Sequence, residues 1–560
     1  MKTKKFLSLL MFLSVSLAIF ANNDKGIEFY KAGMYEAAKS VFLQQKSQNA
    51  DEQAITAYYL GLIYANEQNA AAEAEFQKAV EIAPKSPYGY IGQGRLGLKS
   101  NQKAAEALFK KAEGLGKKNA DVQVQIADAY FANNMIAKAE IALEKAKKIN
   151  KDFADIYLLE GDMIIKQNVN SETIGSAINK FQDAEYFSKN TSKLALIKLA
   201  QMNRLQNRQD LALNKVNAAL ALDKEYLPAY IVLGNIKYGQ SRYKEAIDAY
   251  EKVIVAVEPP IEVYENYAQT LYFDKQYKES LAQIQKVLAQ KPDNAVLHRL
   301  EAYNQYELEK YEEGLQKMEK FLSSIPKDKQ IYLDFITLGR FYVKQKNNAK
   351  AIENFNKAIA LDAQKPDSYK EIALAYSSVD NYDDALSNFE KYFELTPNYF
   401  NIDLYLYSEI CIGAADAVCK DVSATLPKEV IDAKRALLEK YVEKGAKANA
   451  ELMQRASDSY LGYFGRAKIY SLIDTFTQKA GQEVEGVAKP HYEEAIEFML
   501  KNNANNELNK NIIESYSYLR SYYLVKKDTK STIEIVKKIL VIDPNNARAK
   551  DDAKALKIKI

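Results

Sequence analysis

The sequence predicts an all-α fold, a solenoid of antiparallel helix pairs. Three observations carry that expectation. A pattern of small, apolar and aromatic residues returns about every 34 residues through most of the 560-residue chain. Glycine (21) and proline (12) are scarce, so the turns that a many-stranded sandwich or barrel needs are missing. Apolar residues make up 48% and charged residues 27%, an ordinary globular composition and not a disordered one.

The N-terminus comes first in chain order. Lys2, Lys4 and Lys5 precede an apolar stretch over residues 6–20 that only serines interrupt, and Ala21-Asn22-Asn23 follows. A positive start, an apolar middle and a small polar exit mark residues 1–21 as a secretory signal peptide. The stretch is shorter than the roughly 20 apolar residues of a membrane span. Ile19 makes the cleavage site imperfect, and an uncleaved N-terminal anchor is the competing reading. No second apolar run of membrane length follows, so no integral span is expected after cleavage. The net charge of +3 resides in those three lysines, which leaves a formally neutral mature chain. A nucleic-acid partner normally calls for a basic stripe, so none is expected.

Residues 22–402 form the regular array. In the unit 229–253, Tyr230, Leu233, Gly234 and Tyr238 lie along a first helix. A polar turn over 239–242 leads to a second helix with Ala246, Tyr250 and Val253. The same slots hold Phe335, Leu338, Gly339, Tyr342, Ala351, Phe355 and Ala358 in one later copy. Another copy has Tyr369, Ile372, Ala373, Tyr376, Ala385, Phe389 and Pro397. The small first-helix residue recurs at Gly61, Gly94, Ala127, Gly161, Ala200, Gly234, Ala268, Ala302, Gly339 and Ala373. Two wider gaps place insertions near 168–174 and 326–330, and an earlier copy is anchored by Gly26, Phe29, Ala38 and Phe42.

This pattern resembles the tetratricopeptide repeat, with its W-x2-L-G-x2-Y, A-x3-F-x2-A and closing P. The resemblance implies a right-handed superhelix of helix pairs over nearly the whole mature chain. Each pair cannot bury its apolar face alone, so neighbours stack. The small residue admits the second helix, and the large ring, such as Tyr250 or Phe355, fills the space between pairs. Each buried ring should contribute about 1.5–3 kcal/mol.

The remaining segments are looser. Residues 403–459 read as an irregular helical stretch, a distorted copy with a long second helix. Cys411 and Cys419 fall within it; on one continuous helix they would stand about 12 Å apart, beyond disulfide reach of about 7 Å. A bridge therefore requires a turn near Gly413, and the alternative is two buried free thiols. Residues 460–545 form a C-terminal module with an inserted loop. Its run Gly462-Tyr463-Phe464-Gly465-Arg466-Ala467, followed by Gly486-Val487-Ala488-Lys489-Pro490, resembles a segment of exported repeat proteins of the Bacteroidetes cell envelope, with Gly465 where a tryptophan is usual. The loop, placed at 471–486, carries Asp474, Glu483 and Glu485. It reads as solvated, since a calcium loop would space its acids more tightly. Residues 546–560 read as a polar capping helix.

Motifs with chemical potential have plain structural readings. Gly92-Gln93-Gly94-Arg95-Leu96-Gly97 matches G-x-G-x-x-G, but Gly94 fills a repeat slot and no strand precedes it. His298 and His491 lack a nucleophile–acid constellation, and there is no Walker loop or HExxH motif. No catalytic residue, metal site or cofactor is expected.

The resemblance implies that first-helix residues line a concave groove for an extended peptide or a partner helix. The groove candidates are Asn235, Tyr238, Gln269, Tyr272, Tyr303, Tyr306, Arg340, Lys344 and Lys370, with Asp128 and Asp162 in earlier copies. Tyrosines pair a large apolar ring with a polar tip, which suits interfaces. The expected function is a non-enzymatic protein–protein interaction scaffold of the bacterial periplasm or cell envelope, binding a protein partner. A chaperone-like assembly factor for outer-membrane or secretion machinery is the alternative. An enzyme would need a catalytic domain for which only 403–456 has room. Export is expected, with periplasmic, outer-membrane-associated and secreted destinations all open, as is the oligomeric state.

Overall fold

A computed structural model describes residues 23–558; the signal-peptide assignment lies outside them. Those residues form 29 α-helices, one short 3-10 turn and no strand. The pairs run α1 (Asn23–Lys31) with α2 (Tyr35–Leu43), α3 (Ala50–Asn66) with α4 (Ala71–Ile82), and α5 (Tyr88–Gly97) with α6 (Gln102–Leu115). Next come α7 (Ala120–Ala132) with α8 (Ile136–Ile149), α9 (Ala154–Gln167) with α10 (Ser171–Phe187), and α11 (Lys193–Leu205) with α12 (Gln209–Leu222). Then follow α13 (Leu227–Gly239) with α14 (Tyr243–Ala256), α15 (Ile261–Phe273) with α16 (Tyr277–Leu288), and α17 (Ala295–Glu307) with α18 (Tyr311–Ser324). The later pairs are α19 (Tyr332–Lys344) with α20 (Asn348–Leu361), α21 (Pro366–Ser377) with α22 (Tyr382–Leu395), and α23 (Asn401–Lys420) with α24 (Lys428–Arg455). The chain ends with α25 (Leu461–Lys479), α26 (Lys489–Lys501), α27 (Asn509–Val525), α28 (Thr529–Ile542) and α29 (Ala547–Ala555). It divides into two compact units between Leu300 and Glu301.

The turn inside each pair has a repeated cause. A non-glycine residue with positive φ ends the first helix at Asn207, Ser241, Lys275 and Glu309, and again at Lys346 and Asp380. The left-handed residue bends the backbone so that the next N–H reaches the last turn, as when Gln276 N–H donates to the Leu271 carbonyl at 2.8 Å. Asparagines start several helices: the Asn101 side chain accepts from Ala104 N–H, and that of Asn119 from Asp121 N–H.

Packing between helices follows from glycine facing a ring. A Cβ built on Gly26, Gly61, Gly94, Gly161, Gly234 or Gly339 would lie 2.4–2.5 Å from Phe42, Phe76, Phe109, Phe181, Tyr250 or Phe355 respectively. Only a bare Cα lets the second helix come this close. Phe76 is enclosed on both sides, because Gly92 of the next pair faces the same ring. Gly92 and Gly94 of the G-x-G-x-x-G run thus belong to the core.

One open alternative is decided and the inserted loop is corrected. α23 runs unbroken through Gly413, so the turn a disulfide requires is not made; Cys411 and Cys419 are two separate, buried free thiols. The inserted loop is shorter than 471–486, because α25 continues to Lys479. Asp474 therefore lies on a helix and is buried. Gly465 leaves no void where a tryptophan would sit: the Asn449 side chain of α24 lies 2.3 Å from where its Cβ would be. The 168–174 insertion is taken up by a 17-residue α10, and the 326–330 insertion by the 3-10 turn Lys327–Lys329.

Candidate functional site: the first-helix faces

In the first unit the faces of α1 to α11 curl far enough to meet. The Lys31 ammonium on α1 lies 2.5 Å from Asp155 on α9. Lys193, opening α11, bridges Glu28 of α1 at 2.9 Å and Asp223 at 2.8 Å. The buried Tyr58 hydroxyl of α3 donates to Gln125 of α7 at 3.1 Å. Tyr58 and Tyr59 are buried beneath these contacts. This stretch of inner face is therefore filled largely by the chain itself. Asp128 is held by Arg95 at 2.5 Å and Asp162 by Lys198 at 2.6 Å, each across to a neighbouring first helix.

Farther along the same unit the face carries an aromatic rim. The Tyr238 ring lies 6.1 Å from Tyr243 and 6.0 Å from Phe273. Tyr243 stacks on Phe273 at 5.5 Å, and Tyr272 packs against Phe273 at 5.5 Å and Tyr277 at 5.6 Å. Phe273 stays 47% exposed despite these neighbours. Burial lifts the Tyr238 hydroxyl above its ordinary pKa, so it remains a neutral donor. Asn235 faces inward: its carbonyl oxygen accepts from Tyr250 at 2.7 Å and Asn266 at 3.0 Å. Gln269 donates to its own helix, at the Glu265 carbonyl.

In the second unit the candidates separate in the same way. Tyr306 packs edge-on against Tyr311 at 5.4 Å and Phe341 at 5.3 Å, and the Lys344 ammonium stands 5.2 Å from the Tyr311 ring centre. Tyr303 donates to Asp334 at 3.2 Å. Arg340 forks onto Glu371, and Lys370 pairs with the fully buried Asp403. Asp403 also accepts from the Tyr392 hydroxyl and from Phe400 N–H, both at 2.9 Å. Arg340, Lys370 and Tyr303 thus join successive first helices.

Asp474 has a structural task. It accepts from the N–H groups of Gly486, Val487 and Ala488 at 2.9–3.0 Å and from the Tyr518 hydroxyl at 2.5 Å. It thereby ties α25 to the start of α26 and to α27. Among the described residues no three His, Cys, Asp or Glu side chains converge to hold a metal. The His298 ring nitrogen meets the Pro292 carbonyl, and His491 stacks on Tyr470 at 4.4 Å. No helix among the described residues is long and apolar enough to cross a membrane.

Sequence reasoning missed Phe273, whose exposure no repeat slot signals, and all the contacts from α1 to α9 and α11. Tyr238, Tyr272 and Tyr306, named from the sequence, lie in these ring clusters.

Comparison with known proteins follows this geometry. Family models of the tetratricopeptide repeat match residues 23–87, 120–153 and 227–254, and a further one, described as TPR repeat, matches 339–379. No curated protein matches the chain. Solved structures with similarity include the C-terminal part of a TPR repeat-containing protein from Cytophaga hutchinsonii, at 23% identity and TM-score 0.41, covering 52% of this chain and 99% of that one. A tetratricopeptide repeat protein from Parabacteroides merdae gives 16% identity and TM-score 0.31, with 46% and 99% covered. PilW, a type IV pilus biogenesis factor, gives 15% identity and TM-score 0.30, with 37% and 93% covered.

Proposed function

We propose that this chain, built from tetratricopeptide repeats, is a non-enzymatic scaffold that binds a segment of another protein and works in the periplasm or cell envelope of a bacterium. The observation that carries the binding part is the aromatic rim of Tyr238, Tyr243, Tyr272, Phe273 and Tyr277. A folded chain gains little by leaving a phenylalanine 47% exposed beside three tyrosines. A partner covering that rim gains apolar contact, and the phenols supply hydrogen bonds at low entropy cost. The export part rests on the lysine-led apolar start of the sequence.

A photo-crosslinking residue at Tyr272 tests the binding part. It should capture a specific envelope protein, and Tyr272→Ala with Phe273→Ala should weaken that complex about 30-fold, as expected of two central anchors. Unchanged affinity in a folded double variant would move the site elsewhere. Cell fractionation tests the export part: a mature protein beginning near Asn22 in the envelope fraction is expected. Full-length protein in the cytoplasm would refute it.

A further inference from the structure

The inner face of the first unit holds a half-open cavity of about 180 Å³ lined by α1, α3, α7 and α9. That is room for several waters or for one long side chain. Leu158 and Leu159 give it an apolar side. The rings of Tyr30, Tyr35 and Tyr59 and the carboxylates of Asp128, Asp155 and Asp162 give it a polar, π-rich one. Lys31 is the one cation in the lining, and it is already engaged by Asp155.

Two observations point to a guest. The Tyr59 side chain is 5% exposed and fixed against Tyr30 at 5.1 Å and Phe42 at 5.6 Å, yet its hydroxyl has no hydrogen-bond partner among the described residues. The oxygen opens on the cavity, where no protein group competes for it. Arg95 binds Asp128 through Oδ2 and Lys198 binds Asp162 through Oδ1, which leaves the second oxygen of each without a protein partner. The three carboxylates are each paired with one cation, Lys31, Arg95 or Lys198, so an anion entering here would find those donors already engaged. A cation would find two open carboxylate oxygens, a phenol oxygen able to accept, and aromatic faces.

We propose that this cavity receives an alkylammonium group, an apolar stem ending in a primary amine, carried by a lysine of a partner chain or by a free diamine. The stem lies along Leu158 and Leu159, and the ammonium donates to Asp128, Asp162 and Tyr59. This site is separate from the aromatic rim and does not depend on it.

Calorimetric titration of the full chain tests it with three probes: capped Gly-Lys-Gly, 1,5-diaminopentane, and capped Gly-norleucine-Gly. One of the two amines should bind one to one, weakening with added salt, and the norleucine peptide should not. Binding of the lysine peptide assigns the site to a partner chain, and binding of the diamine alone assigns it to a free amine. Tyr59→Phe removes no existing hydrogen bond and should weaken binding about tenfold; Asp162→Asn should do the same. If Asp162→Asn fails to fold, Tyr59→Phe decides alone. Tyr272→Ala should leave this binding unchanged. No heat from either amine at about 10 mM, or equal affinity in wild type and Tyr59→Phe, would overturn the proposal.

Discussion

Adding one methyl group at Gly61 tests the packing principle on which the whole array rests. The new Cβ would lie 2.4 Å from Cε1 of Phe76, whereas carbon atoms in contact normally stand about 3.5–4.0 Å apart. The overlap exceeds an ångström. The ring cannot yield by rotating away, because it is fully buried and the Gly92 side is closer still, with a Cβ position 2.1 Å from the ring. Relief therefore has to come from separating α3 and α4. Overpacking of this kind costs about 1–3 kcal/mol, and the gain in helix propensity from glycine to alanine returns about 1 kcal/mol. With a trapped ring the cost falls at the upper end, giving a net loss of about 2 kcal/mol. Gly175 in α10 is the internal control, since nothing lies within 4 Å of its Cβ position. There only the propensity term acts, and Gly175→Ala should stabilise by about 0.5–1 kcal/mol. Hydrogen–deuterium exchange is the suitable assay, because repeat arrays open locally and a single melting curve averages over them. Gly61→Ala should speed exchange in α3 and α4 by about tenfold or more, and Gly175→Ala should slow it in α10. Combining Gly61→Ala with Phe76→Leu should recover at least about 1 kcal/mol of coupling. Equal or slower exchange of α3 in Gly61→Ala would refute the glycine-and-ring account.

Three other outcomes follow from particular side chains. Burial pushes the thiol of Cys411 up to about 12 and that of Cys419 up to about 11, so neither should react with a thiol reagent at about pH 8 while folded, and both should react in denaturant; a disulfide in the intact mass under mild oxidation would contradict this. Asp474→Ala leaves three N–H groups at the start of α26 and the Tyr518 hydroxyl without their acceptor, which should cost about 3 kcal/mol or more, read as faster exchange over residues 486–492, with Asp474→Asn partly restoring protection. Burial and then Arg466 hold the His491 pKa below its ordinary value. The unfolded chain therefore binds the proton first as pH falls, and stability present above about pH 6.5 declines below it; His491→Phe should flatten that decline in the melting temperature, and an unchanged slope would contradict the assignment.

The helix pairs were legible because every contact that makes them is local in the repeat. Gly234 meets Tyr250 sixteen positions on, and Gly339 meets Phe355 at the same offset, so the register alone pairs them. The disulfide question stayed open because helix continuity through Gly413 depends on how α23 packs against α24 and α22, and glycine is compatible with either outcome. Asp474 was misplaced for a related reason: an acid in a polar stretch looks solvated until three N–H groups arrive from a turn beyond it. The contacts of Lys31 with Asp155 and of Lys193 with Glu28 had no signal at all. They span 124 and 165 positions and arise from curvature accumulated over several pairs, which no periodicity encodes.

A rule for the first-helix faces emerges from residues about one repeat apart. Arg95 meets Asp128 at 33 positions, Arg340 meets Glu371 at 31, and Lys370 meets Asp403 at 33. A charge on this face therefore finds its complement on the next first helix before any partner protein arrives. Arg95 and Asp403 are buried, so removing one partner there costs more than the roughly 0.2–1 kcal/mol of an exposed pair, and together these pairs set the register between neighbours. Tyr238 and Tyr272 stand 34 positions apart and carry no charge to pair; both rings pack on Phe273, which stays 47% exposed. The face thus carries two kinds of position, charged ones that pair from one first helix to the next and aromatic ones that cluster around the half-exposed Phe273. Reversing a matched pair, Arg340→Glu with Glu371→Arg, should then leave partner binding intact, while Tyr272→Ala weakens it. Loss of binding in the charge-swapped, folded variant would show that the matched residues also touch the partner.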